Sequence, residues 1–184
     1  QSFTPVDLLS AYTPPSVPGV PVPSTLFAYN LDKQLTQTTR PDGLLIGRTY
    51  DSAGKLDLLT TPTGNVDYDY FGLTPCPGCA PGRLQRITDP SGVVLDHAYD
   101  GLLLKSLTWS GAVSGTVSFG HDASFRVTSE TVTVGANTSS VAFGLDNDDL
   151  LICASPSTCS PAGTDALKIT LNAGNGLVTG STHG

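Results

Sequence analysis

"RTYDSAGKLDLLTTPTGN", residues 48–65, sets out in order a Tyr-Asp pair, a glycine three residues after the aspartate, a short apolar run and a Pro-x-Gly sequence. Asp51 offers a side-chain acceptor at the start of a reverse turn, and Gly54 supplies the residue that takes a left-handed conformation at its end. The flanking runs "LLIGRTY" and "KLDLLT" are rich in β-prone residues, so the stretch reads as a hairpin. Further on, Pro62 fixes φ and Gly64 permits a positive φ, and the chain reverses again. One such unit is two strands and two turns.

The unit recurs along the chain. Tyr29-Asn30, Tyr50-Asp51 and Tyr99-Asp100 head three copies, and Tyr70 heads another. The steps from Tyr29 to Tyr50, Leu35 to Leu56, Pro41 to Pro62 and Gly43 to Gly64 are each 21 residues. The Tyr70 copy regains the same offsets at Leu84, Pro90 and Gly92 once about eight residues are treated as an inserted turn. Later copies fade, with His121-Asp122 and Leu145-Asp146 where Tyr-Asp would stand. The expected fold is all-β, an antiparallel meander in which segments such as "RVTSETVTV" set an apolar face against one richer in Ser, Thr and charge.

Composition agrees. Among 184 residues there are 20 glycines and 14 prolines, and only 14% are charged, which describes short strands and tight turns rather than helices. A net charge of -7 repels phosphate backbones and anionic headgroups, so no nucleic-acid partner is expected. No apolar run approaches the roughly 20 residues that span a bilayer, so no membrane span is expected. The absence of methionine, with Gln1 at the start, reads as a processed or excised fragment. Residues 1–23 include "YTPPSVPGVPVPS" and read as a Pro-rich extended arm or linker, with "VDLLSAY" as a short strand candidate; residues 24–184 read as the repeat domain, about six to seven units. The arm either links or covers a strand edge, its own or a neighbour's, by strand addition.

The cysteines form two local pairs, Cys76 with Cys79 and Cys153 with Cys159, inside loop insertions near residues 72–82 and 153–164. Two loop-stapling disulfides and a secreted or cell-surface location are the reading, with connectivity open among three arrangements. A redox role for "CPGC" would need a helix N-terminus and βαβ surroundings. A four-cysteine zinc site is disfavoured by the five residues inside the second pair.

"YDSAGKL", "GRLQRITDPSG", "AYDGLLLKSLTWSGAVSGTVSFGHDASFRVTSE", "FGLDNDDLL" and "NGLVTGST" together resemble the YD repeats of Rhs proteins, which are shared with bacterial toxin-complex C subunits and teneurin shells. The resemblance covers roughly residues 24–184 and is most specific from Tyr99 to Leu151. It implies a curved sheet or partial β-shell that encloses a C-terminal toxin or other cargo, with no catalysis and no cofactor of its own. The partners it implies are further repeat segments, copies of the chain paired through β-edges, and an enclosed toxin polypeptide. About six or seven units make only part of such a wall, and their strand edges invite pairing with another chain.

Residues with chemistry of their own are few. His97, His121 and His183 lie far apart and outside any metal-spacing motif, and no triad is visible. The sequence Asp89-Pro90-Ser91-Gly92 faintly resembles the aspartyl self-cleavage signature found downstream of the shell in Rhs proteins, yet it fits the ordinary Pro-x-Gly turn. Asp146, Asp148 and Asp149 carry oxygen ligands but lack the glycine and distal glutamate of an EF-hand loop. Asn137-Thr-Ser is a sequon only in a eukaryotic secretory pathway. Three functions therefore compete: a structural wall around cargo, a self-assembling extracellular filament or oligomer subunit joined by strand addition, and a carbohydrate- or surface-binding module using Tyr50, Tyr99 and Trp109.

Overall fold

The computed structural model describes residues 1–19, 21–73, 80–159 and 165–184. Its strands are β1 (Ser2–Phe3), β2 (Leu9–Tyr12), β3 (Thr25–Tyr29), β4 (Leu35–Thr39), β5 (Leu45–Tyr50), β6 (Leu56–Thr61), β7 (Gly64–Tyr70) and β8 (Leu84–Thr88). They continue as β9 (Val94–Asp100), β10 (Leu103–Ser110), β11 (Gly115–His121), β12 (Val127–Val134), β13 (Asn137–Leu145), β14 (Leu151–Ser155), β15 (Leu167–Leu171) and β16 (Val178–His183). No helix occurs among the described residues. Strand order in the sheet follows the sequence from β1 to β16, and every registered pairing is antiparallel, the meander the alternation predicted.

Two units divide the chain, residues 1–70 with 86–93 and residues 71–85 with 94–184. In the first, residues 1–23 contribute β1 and β2, and β2 lies against β3 with Ala11 opposite Leu26. Strand β7 shows why these segments settle as strands: Asn65, Asp67 and Asp69 are exposed while Val66, Tyr68 and Tyr70 alternate with them on the half-buried side. The turn at Pro62 differs from the one at Pro41. Thr61 pairs directly with Gly64 across a two-residue loop, whereas Pro41 sits inside a longer turn closed by Arg40 and Leu44. Gly64, at φ +132°, leaves room for Pro90, which a Cβ there would approach to 2.6 Å.

In the second unit, β10 to β13 carry ranks of matched residues. Ser106, Ser118, Thr131 and Ser140 stand opposite one another in successive strands, and the neighbouring rank on the other face is Leu107, Val117, Val132 and Ser139. Trp109 pairs with Gly115, and the indole lies against the glycine where any side chain would stand. The disulfide Cys153–Cys159 closes a local loop, with Cα atoms 5.9 Å apart. Gly144 faces Cys153 and makes room for both cysteine Cβ atoms. Cys76 and Cys79 lie outside the described residues.

Little of this is a conventional core. Among described residues the buried hydrophobic side chains are Ala80, Tyr99, Cys153 and Ala166. Stability must then come largely from ladder hydrogen bonds, cross-strand pairs and turns. Gly115→Ala is expected to cost about 1–3 kcal/mol by forcing Trp109 and the Thr133 carbonyl aside. Gly180→Ala, which meets nothing within 4 Å, is expected to stay within about 0.5 kcal/mol of the parent. Urea denaturation of both variants checks the contrast.

Candidate functional site

One turn is built repeatedly, and it explains Asp51 and the aspartates that follow His121 and Leu145. At Asp51 the backbone N–H donates to the Lys55 carbonyl, and the Gly54 N–H donates to the Asp51 carbonyl. The same two bonds close the turns that start at Thr4, Asn30, Arg40, Asp89, Asp122 and Asp146. Their fourth residues, Asp7, Lys33, Gly43, Gly54, Gly92, Phe125 and Asp149, all have φ between +60° and +83°. This is a three-residue hairpin loop, a type I turn followed by a left-handed residue, with the bulge that geometry requires. The register shifts accordingly at Ala28/Tyr29, Thr49/Tyr50, Gly120/His121 and Gly144/Leu145.

An aspartate in the first place caps the turn. Asp51 Oδ1 accepts from the amides of Ala53 and Lys55 at 2.9 and 2.8 Å. Asp89, Asp122 and Asp146 do the same for Ser91 and Val93, Ser124 and Arg126, and Asp148 and Leu150. Two otherwise solvent-facing amides are thereby fixed to one carboxylate oxygen. The Ser91 hydroxyl and the turn amides hold the Asp89 carboxyl below the usual carboxylate range. Arg126 does so for Asp122. The sequence Asp89-Pro-Ser-Gly is thus an engaged turn, with Pro90 at the position where its fixed φ is wanted. Asp146 and Asp149 are likewise occupied, by turn amides and by Arg126.

The tyrosines do something different. Tyr29, Tyr50, Tyr70 and Tyr99 donate their hydroxyl protons to the backbone carbonyls of Leu9, Leu35, Leu56 and Leu84, at 2.8 to 3.1 Å. Each acceptor belongs to the strand preceding the tyrosine's own, at the end where the two are not joined by a turn. The acceptor is therefore a strand carbonyl in the previous hairpin, rather than a turn or water. Leu35 and Leu56 follow Tyr29 and Tyr50 by six residues, so the leucine offset in the sequence marks the receiving end of this bond. Gln34 adds a second tie, its side-chain amide donating to the Gly54 carbonyl of the next turn at 2.7 Å. The ring of Tyr70 takes the Lys55 ammonium at 4.6 Å from its centroid. Burial, with the carboxylates of Asp51 and Asp57 and the neighbouring Tyr68, pushes the Tyr70 phenol up. Tyr99 is buried against Phe71, edge to face at 6.0 Å, and against Arg83 at 5.7 Å, and it stacks on His97.

The inserted loop after Tyr70 preserves this scheme. Phe71 N–H donates to the Arg83 carbonyl, the same closing bond as in the Tyr50 turn, set eight residues further apart. At Leu145, where the tyrosine is replaced, an arginine takes over the tie between neighbouring turns. Arg126 donates to Asp122 Oδ2, to the Asp146 carbonyl and to Asp149 Oδ1, joining the turns 122–126 and 146–150. Asp100 departs from the pattern. Its hairpin is a two-residue loop in which Asp100 pairs with Leu103, and the carboxylate accepts no hydrogen bond among the described residues.

The histidines stay apart in chemistry: His97 lies under Tyr99 with Nδ1 buried and unpaired, His121 ends β11, and His183 ends β16. Among the described residues no group of three or more His, Cys, Asp or Glu is placed to hold a metal. The sequence reading missed Arg126 and the Thr4 turn. An arginine four residues after a turn-starting aspartate was the visible signal for the first; Thr4-Pro-Val-Asp7, without glycine, gave none for the second.

No protein-family model matches the chain, and no curated protein matches it significantly. Solved structures do. A crystal structure of TcdB2-TccC3-TEV aligns over 100% of this chain and 11% of that one, with TM-score 0.71 and 15% identity. A crystal structure of TcdB2-TccC3-Cdc42 aligns over 89% and 9%, with TM-score 0.69 and 16% identity. The Photorhabdus luminescens Tc holotoxin pore, with a mutant TccC3, aligns over 88% and 9%, with TM-score 0.63 and 17% identity. The chain spans about a tenth of the length of the chains it matches, and its fold is that of a segment of toxin-complex chains.

Replacing Tyr50 or Tyr29 by Phe is expected to cost about 0.5–1.5 kcal/mol each, while Tyr12→Phe, with no hydroxyl bond to lose among the described residues, costs nothing measurable by urea denaturation. The pH dependence follows from the shifted groups. Asp89 and Asp122 contribute fully above the ordinary aspartate range and lose their contribution as pH falls through their lowered values. Tyr70 contributes fully below the ordinary phenol value of 10.0 and loses its contribution as pH rises through its raised value. Denaturation midpoints should be flat between about pH 5 and pH 9 and fall on both sides, and Tyr70→Phe should shallow the alkaline limb.

Proposed function

We propose that the chain is a non-catalytic structural scaffold, a segment of a secreted or cell-surface YD-repeat wall that encloses cargo such as a toxin polypeptide. The observation that carries this reading is the turn-and-latch module itself. Asp51, Asp89, Asp122 and Asp146 spend their carboxylates on backbone amides, and four tyrosine hydroxyls spend theirs on backbone carbonyls. These are the side chains an enzyme would use, and here they are committed to holding strands in register. The likeness to segments of toxin-complex chains supports the same reading, as does the Cys153–Cys159 disulfide, which suits an oxidising compartment. A local loop of this size is worth about 2 kcal/mol.

Partners in this reading are further repeats, supplied by the same polypeptide or by a copy. The alternative function is a filament or oligomer subunit in which repeats from separate chains join by strand addition. The carbohydrate-binding reading has less support, because the Trp109 indole lies against Gly115. Electron microscopy of the natural assembly that contains these residues separates the proposals. Closed hollow particles with internal density are expected; filaments would transfer the function to self-assembly, and isolated open sheets would contradict both.

A further inference from the structure

We propose that the cleft between the hairpin tips 100–103 and 122–126 binds a segment of partner polypeptide that sets an apolar side chain beside a lysine or arginine. Asp100, Gly101, Leu102, Leu103 and Phe125 line a cleft of about 510 Å³, the size that accepts a large side chain with its flanking backbone. It opens where the latch is missing, because the residue at the tyrosine position of β11 is His121 and no phenol crosses to the preceding hairpin.

Three features of the lining go unused by the fold. Leu102 and Phe125 are 71% and 70% exposed, so neither packs into the sheet. Phe125 occupies the left-handed turn position at φ +66°, which Gly43, Gly54 and Gly92 fill in other copies. A glycine would serve the turn better, so the ring is not there for the turn. Asp100 is the aspartate of a Tyr-Asp pair released from capping, since its two-residue loop presents no amides to it. An apolar cleft with one uncommitted carboxylate is complementary to an apolar group carrying an adjacent cation. The sheet's hydrogen-bonding requirements explain none of these three, and the inference stands apart from what the wall encloses.

The test is isothermal titration of the full chain at low salt with a capped peptide bearing phenylalanine between two lysines. Peptides with phenylalanine between two glutamates, and with glycine between two lysines, are the controls. The expected result is saturable binding of the first peptide alone. Phe125→Gly should weaken it at least about tenfold while leaving the thermal midpoint equal to or above the parent's. Asp100→Asn should weaken it up to about fivefold and remove most of its salt dependence. Absence of binding by the parent, equal binding of the glutamate peptide, or unchanged binding by Phe125→Gly would overturn the proposal. So would a sharp loss of thermal stability in Phe125→Gly, which would make the ring a packing element.

Discussion

Adjacent hairpins of a meander are covalently joined at one end only, and the bond from each repeat tyrosine to a leucine carbonyl closes the other end. Without it, strands β4 and β5, or β6 and β7, would be free to fray where their tyrosine-headed turns stand side by side. A single phenol hydroxyl converts two neighbouring hairpins into one fastened pair, and the leucine that receives it heads the strand just after the previous turn. The repeat length follows from this requirement. Tyrosine and leucine must return to matching strand ends, so strand and turn lengths cannot vary independently; the insertion after Tyr70 is tolerated because the bond from Phe71 to Arg83 closes it off at its base and leaves the strand ends in place.

The aspartate and the tyrosine divide the work between scales. Asp51, Asp89, Asp122 and Asp146 act within one turn, where a carboxylate oxygen holds two amides and makes the reversal a defined structure. The tyrosine acts between turns. Where Leu145 stands in place of the phenol, the between-turn tie is made by the Arg126 guanidinium instead. This economy suits a protein whose described residues bury so few apolar side chains, since a sheet with two half-exposed faces gains little from a core. It also leaves apolar side chains such as Leu31, Leu102 and Phe125 at turn tips, where they contribute to contacts rather than to folding.

Much of this was legible in the sequence because turn chemistry is local. Asp-x-x-Gly states both the cap and the left-handed residue, and the 21-residue spacing of Tyr, Leu, Pro and Gly states the meander. What was not legible depended on pairing across strands. Nothing in Tyr50 alone names the Leu35 carbonyl as its acceptor, and Arg126 declares its reach to Asp149 only once the turns are neighbours. Turns that place Asp7, Lys33 or Phe125 in the left-handed position lack the glycine signal altogether. Asp100 shows the converse: the sequence pairs it with Tyr99 as elsewhere, but a two-residue loop removes its partners. The same limits apply to function, because an architectural role is written in repeats whereas a partner is written in the few residues the repeats do not need.

The measurement that bears most directly on the latch is detection of tyrosine hydroxyl protons by nuclear magnetic resonance in supercooled or cold solution. Tyr29, Tyr50, Tyr70 and Tyr99 should each give a slowly exchanging hydroxyl resonance, and Tyr12 and Tyr68, whose hydroxyls have no bonded acceptor among the described residues, should give none. Six hydroxyls exchanging alike with solvent would contradict the account.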